Sequence, residues 1–162
     1  MKFAAVLLAV GLAAAARAAE WLPIEQQVAK ATEADRVTVV HFWAPWCSNC
    51  KNELASGGWK DFIAANPEVE FVFVTIWSDT KGDGRAMLEQ YGVGAQKNFQ
   101  LLLHPNTSRR QSEMMRTFMD LPVTWVPTTW VFRAGKLRYA INYGEVRFPM
   151  LQQMVKDSTD KW

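Results

Sequence analysis

Between residues 22 and 156 the spacing of apolar positions changes several times, and each change marks a new element. Leu22, Ile24, Val28, Ala31 and Ala34 recur at helical spacing, with Pro23 where a first turn accepts it, so Leu22 to Ala34 is predicted as a helix. Val37 to Trp43 is a short β-branched and aromatic run that stops before Pro45, as expected of a buried strand leading into a turn. Ser48 to Ala55 should open a helix that Gly57-Gly58 interrupts and Trp59 to Ala65 resumes, until Asn66-Pro67 ends it. Val69 to Ile76 is apolar at nearly every position, which suits a central strand covered on both faces.

Lys81 to Gly84 reads as a loop, Arg85 to Tyr91 as a helix closed by Gly92, and Phe99 to Leu103 as a third strand. Residues 108–119 are predicted as a further helix, with Met114, Met115 and Met119 at helical spacing as core filler. Thr128 to Phe132 and Leu137 to Asn142, joined by Ala134-Gly135-Lys136, form a hairpin. Val146 to Lys156 closes the series as a helix, with Phe148, Leu151, Met154 and Val155 turned to the sheet. Strands alternating with helices call for parallel crossover pairing, and the final hairpin adds antiparallel strands. The fold class is therefore α/β: a three-layer sandwich with a mixed central sheet and helices on both faces.

Composition adds a boundary and an exclusion. The 162 residues are 49% hydrophobic and 21% charged, enough for one globular domain and its core. Lys2, the apolar stretch from Phe3 to Ala16 and the small-x-small pattern Ala16-Arg17-Ala18 read as a secretory signal peptide over residues 1–18, cleaved near Ala18. The expected mature domain is residues 19–162, periplasmic or otherwise exported and without stable membrane insertion, since the apolar stretch is shorter than the ~20 residues a span needs. Removing Lys2 and Arg17 from the 18 basic residues leaves sixteen against 16 acidic ones. A net charge near zero gives little long-range attraction to nucleic acid, so no nucleic-acid partner is expected.

The only cysteines are Cys47 and Cys50. Two cysteines three positions apart close too small a loop to brace a domain, so the spacing points to chemistry or to metal. Placed where a strand ends and a helix begins, Cys47 meets unpaired backbone N–H groups and the positive end of the helix dipole, which favour its thiolate. Cys50, a turn further on, can attack a mixed disulfide formed by Cys47. The pair suits thiol–disulfide exchange.

The segment Phe42-Trp43-Ala44-Pro45-Trp46-Cys47-Ser48-Asn49-Cys50 resembles the active-site segment of thioredoxin-fold proteins, and Val126-Pro127-Thr128-Thr129 resembles their cis-proline loop. The interval between them resembles the exported, TlpA-like branch, with a strand-helix unit inserted around Phe99 to Met119. The resemblance covers about Val37 to Val155. It implies an enzyme, a thiol-disulfide oxidoreductase exchanging dithiol and disulfide with client proteins, for which the reducing direction is taken as slightly favoured. It implies Cys47 and Cys50 as the catalytic pair, and Trp46, Val126 and Pro127 as substrate-binding residues, Val126 offering backbone to an extended client after a cis bond. No cofactor is expected beyond the redox-active Cys47–Cys50 disulfide, so a redox partner protein would supply or accept the electrons.

Three departures from that pattern stand out. His41 occupies the place where thioredoxins commonly have a buried acid; it is a candidate proton acceptor for Cys50 or a packed imidazole, the second being the ordinary behaviour of strand histidines. Ser48-Asn49 replaces the Gly-Pro of thioredoxin between the cysteines. Gly57-Gly58 lies near the family's kinking proline, so the bend there must be made differently. Two competing classes remain: a copper or zinc module using Cys47, Cys50 and His104 with or without His41, short of ligands for a closed site, and a redox-inactive docking domain. Trp59, Trp77 and Trp130 read as packing residues, whereas Trp125, so near Pro127, could rim a substrate groove.

Overall fold

The computed structural model describes residues 21–78, 84–142 and 144–160. The signal-peptide reading of residues 1–18 and most of the loop read at Lys81 to Gly84 lie outside them. In chain order the elements are α1 (Pro23–Thr32), β1 (Val37–Trp43), α2 (Ser48–Ala55), α3 (Gly58–Ala65), β2 (Glu70–Thr75), α4 (Arg85–Gln90), β3 (Phe99–Leu103), β4 (Thr117–Phe118), β5 (Leu121–Pro122), β6 (Thr128–Arg133), β7 (Lys136–Ile141) and α5 (Phe148–Thr159). Among the described residues no helix is long and apolar enough to cross a membrane.

Five strands form one sheet in the order β3-β2-β1-β6-β7. β1 pairs parallel with β2 and β2 with β3, while β6 runs antiparallel to β1 and β7 to β6, so the sheet is mixed. β1 is central and buried at all seven positions, which is why its sequence shows no polar alternation. One of its faces presents His41 to an aromatic layer: Trp59 packs against Phe73, Phe62 and Phe148 at 4.8, 6.3 and 5.3 Å between ring centroids. The opposite face presents Phe42, which meets Trp130 at 4.5 Å and Phe118 at 5.1 Å. α1 covers this second face, where the Thr38 hydroxyl donates to the Ala31 carbonyl. Two helical layers therefore enclose the sheet, as the pattern of elements required.

Residues 108–119 are not a helix. The segment is a turn running into the two-stranded ribbon β4–β5, with Thr117 opposite Pro122 and Phe118 opposite Leu121. Short polar side chains capture the backbone before a helix can form: the Asn106 side chain accepts from Ser108 N–H and donates to the Glu113 carbonyl, and the Ser108 hydroxyl accepts from Arg110 N–H. Met119 and Asp120 then take positive φ angles of 50° and 61°, and the Met119 N–H donates to the buried carboxylate of Glu25 at 2.6 Å. The unit inserted after β2 thus consists of α4, β3 and this ribbon, rather than a strand followed by a helix.

Candidate active site

β1 ends at Trp43, the turn closes with Cys47 N–H donating to the Ala44 carbonyl, and α2 begins at Ser48. Cys47 is the N-cap of α2 with an extended backbone, and its sulfur accepts a hydrogen bond from Cys50 N–H at 3.3 Å. A serine or aspartate oxygen commonly fills that role; here a cysteine sulfur does, and negative charge on it is favoured by the donor and by the helix terminus. The Cys47 thiol is lowered to about 7, chiefly by its side-chain hydrogen bond with Cys50 and further by the backbone N–H groups of Cys50 and Asn49, against burial and the charge of Glu53. Cys50 lies one turn deeper. Burial, and then the neighbouring Cys47 sulfur, push its thiol far up, out of the range of ordinary titration. Both are free thiols in this structure.

The Cys47 S–H points at the Val126 carbonyl, 3.6 Å away, and the Val126–Pro127 peptide bond is cis. An open groove of about 360 Å³ runs past the sulfur, lined by Trp46, Cys47, Trp77, Met114, Arg116, Trp125 and Val126 among others. Trp46 is anchored, its indole N–H donating to the Trp77 carbonyl at 2.7 Å, and the Trp77 indole donates in turn to the Met115 carbonyl at 2.9 Å. Of the tryptophans named from sequence, Trp59, Trp77 and Trp130 are core, while Trp125 is half exposed in the groove wall.

His41 lies beneath α2 between the rings of Trp59 and Phe73, 4.5 and 4.7 Å away. Its Nδ1 is 2.9 Å from the Thr129 hydroxyl and its Nε2 is 3.3 Å from Oε2 of Glu53, both residues being buried. In the neutral imidazole, Nε2–H donates to Glu53 and Nδ1 is left to accept from the Thr129 hydroxyl. Glu53 also accepts from the Trp59 indole at 2.9 Å and from Val146 N–H at 2.6 Å. Its negative charge pushes up both cysteine thiols.

The sequence profile of the thioredoxin-like domain matches residues 24–159, most of the chain. The chain belongs to the thioredoxin-like family. No curated protein matches it by sequence. Among solved structures, it is similar to a secreted disulfide oxidoreductase of Mycobacterium tuberculosis, described as homologous to E. coli DsbE, with 23% identity and TM-score 0.54 over 78% of this chain and 85% of that one. A thiol:disulfide interchange protein of the thioredoxin family from Chlorobium tepidum matches with TM-score 0.59 and 16% identity over 81% and 85% of the two chains. A secreted thiol-disulfide isomerase from Corynebacterium glutamicum matches with TM-score 0.57 and 15% identity over 78% and 72%.

In this thioredoxin-like chain the buried acid below the cysteine pair comes from α2, as Glu53, and not from the strand, where His41 stands. Sequence reasoning passed over Glu53, although it lies three residues beyond Cys50 and hence on the same helix face, a spacing that could have flagged it. The bend between α2 and α3 is made by Gly57 in the left-handed region, φ 74°, and by Gly58, whose missing Cβ leaves room for the Phe148 ring. His104 is buried on the other side, with Nδ1 3.1 Å from the Asn106 N–H donor and its ring 6.1 Å from that of Phe118. Among the described residues no three His, Cys, Asp or Glu side chains gather as a metal site.

Proposed function

We propose that this chain is an exported thiol-disulfide oxidoreductase that reduces disulfides in client proteins, with Cys47 attacking and Cys50 resolving. The observation that carries the reading is the Cys47 sulfur itself: it caps α2, opens on a groove and sits 3.6 Å from the backbone carbonyl of Val126 in the groove wall. The Cys47 thiolate attacks one sulfur of a client disulfide, forming the mixed disulfide and expelling the other sulfur as a thiolate. A client segment held extended along the Val126 backbone presents that sulfur in line. Cys50 then loses its proton toward the His41–Glu53 pair and attacks the Cys47 sulfur. The Cys47–Cys50 disulfide forms, the second client thiol leaves, and two electrons have passed to the client. A partner dithiol must restore the reduced pair.

The reducing direction is supported by how little the Cys47 thiol is acidified. A strong oxidant owes its potential to a reduced form stabilised by a thiolate of pKa about 3.5, whereas thioredoxin holds about 7. A Cys47 thiol at about 7 lies nearer the second value, which supports the reducing direction. Export is supported by the pattern of residues 1–18 and fits the secreted relatives from M. tuberculosis and C. glutamicum.

The deciding experiment is the reduction potential of the Cys47–Cys50 couple, by equilibration of the protein with thiol–disulfide buffers and alkylation of free thiols. A value near about −270 mV is expected; one near about −120 mV would reverse the direction, and the absence of a reversible couple would end the reading.

A further inference from the structure

We propose that the groove beside Cys47 selects client segments carrying an apolar and an acidic residue next to the reacting cysteine, and that Arg116 is the residue that reads the acid. This rests on the exchange reaction above and adds what the client must bring to it. Backbone pairing at Val126 is indifferent to sequence, so any preference must come from side chains in the groove wall.

Those side chains offer apolar surface and positive charge. The indole N–H groups of Trp46 and Trp77 are already spent on the carbonyls of Trp77 and Met115, so both residues present their rings rather than a donor. Met114 adds an adaptable thioether and Trp125 a half-exposed indole, a combination that gains by covering an aliphatic or aromatic client side chain. No carboxylate lines the groove among the described residues, while Arg116 does. Arg109 lays its guanidinium 4.2 Å from the ring centre of Trp46, a cation–π contact at the rim. Arg110 is paired with Glu113 at 3.2 Å.

Arg116 is also held in place on both sides. The carbonyl before it, of Met115, is fixed by Trp77, and its own carbonyl accepts from Val123 N–H at 2.9 Å. From the next residue on, β4 pairs with β5, and Met119 N–H is tied to Glu25. The backbone beneath the guanidinium is thus fixed at the groove, and only the side chain has to order when an acidic residue meets it.

The test uses reduced full-length protein and three mixed-disulfide peptides that differ only beside the cysteine: Leu with Glu, Leu with Lys, and Gly with Glu. The second-order rate of opening is measured at low and at high salt, with the neutral 2-hydroxyethyl disulfide as a further substrate. The Glu peptide should exceed the Lys peptide by about fivefold at low salt, the scale of one half-exposed charge pair that attracts in one case and repels in the other, and the ratio should fall toward one in about 1 M salt. Arg116→Glu should invert the ratio. Leu should exceed Gly by a few-fold, a margin that Trp125→Ala reduces. A Glu-to-Lys ratio near one in wild type, or a ratio unchanged in R116E, overturns the proposal. So does a peptide rate that falls as protein concentration rises, because the groove would then belong to a second copy of this chain. Failure to open even 2-hydroxyethyl disulfide would instead remove the exchange reading itself.

Discussion

Glu53 places one carboxylate oxygen 3.3 Å from Nε2 of His41, and the other 2.6 Å from the backbone nitrogen of Val146. Three donors thus converge on a single buried carboxylate, the third being the Trp59 indole. A carboxylate accepts at both oxygens, but an amide offers one oxygen and one NH2 group. Glu53→Gln must therefore leave at least one buried donor facing another, at a cost of about 1–3 kcal/mol, measurable as a lower urea midpoint.

The same substitution should separate the two cysteines. Glu53 is among the weaker influences on Cys50, whose thiol is held up first by burial, so removing the charge eases ionisation little while removing the proton's destination. The mixed disulfide with a client should live at least about tenfold longer in Glu53→Gln. Alkylation of Cys47 should meanwhile begin at lower pH, because a neighbouring negative charge is gone. An unchanged mixed-disulfide lifetime would exclude the His41–Glu53 pair from the proton path.

The pH profile of the wild-type protein follows from the Cys47 thiol at about 7, against an ordinary 9.0. Protonated, the sulfur is a poor nucleophile, so the alkylation rate should rise as pH increases through about 7 and level off above it. Cys50 should stay silent over that span, since burial holds its proton. A rate still climbing steeply between pH 8 and 9 would mean that the helix-cap environment does not act on the sulfur as described.

Cys47→Ser should abolish exchange, because no other thiol lines the groove among the described residues. Cys50→Ser should instead accumulate a covalent complex with client, visible by mass spectrometry and released by a reductant. Turnover persisting in both variants would refute the assignment of the pair.

Gly57 and Gly58 are adjacent yet should respond differently to alanine. At Gly57 the difficulty is the backbone, φ 74°, with the nearest atom 3.9 Å from an added Cβ; the cost is about 1–2 kcal/mol. At Gly58 the added Cβ would lie 2.0 Å from the Phe148 ring, which packs on both Trp59 and Phe62. Moving that ring should cost about 1–3 kcal/mol and loosen the aromatic layer around His41. Matched denaturation curves test this: near-ultraviolet circular dichroism should change for Gly58→Ala and not for Gly57→Ala.

Much of this architecture was legible because burial and periodicity agreed. β1 read as a β-branched and aromatic run and β2 as a nearly continuous apolar one, and both are buried at every position. The glycine pair marked the junction of α2 and α3 to within a residue. Residues 108–119 misled because Met114, Met115 and Met119 fall at helical spacing, whereas the conformation is decided by Asn106 and Ser108 bonding their own backbone and by Glu25, ninety-four residues from its partner Met119. A long-range acceptor of that kind leaves no periodic trace. Of the site, the cysteines, Trp46 and Val126 could be placed from motif alone, and His41 was singled out without its partner. Glu53 escaped notice because an acid on a helix is ordinarily a solvated one.

The cysteine pair hangs from β1, the central strand of the five, with neighbours on both sides and burial at every position. Backbone amides in such a strand exchange with solvent water only when the whole domain opens, unlike those of edge strands and loops. Deuterium uptake along β1 should therefore report global unfolding, and the chemistry should survive any stress the core survives. The wall that carries Arg116 leads into the two-stranded ribbon β4–β5, which is separate from the five-stranded sheet. Changes there can alter which clients are accepted while the sulfur chemistry, built on the most protected part of the molecule, stays as it is.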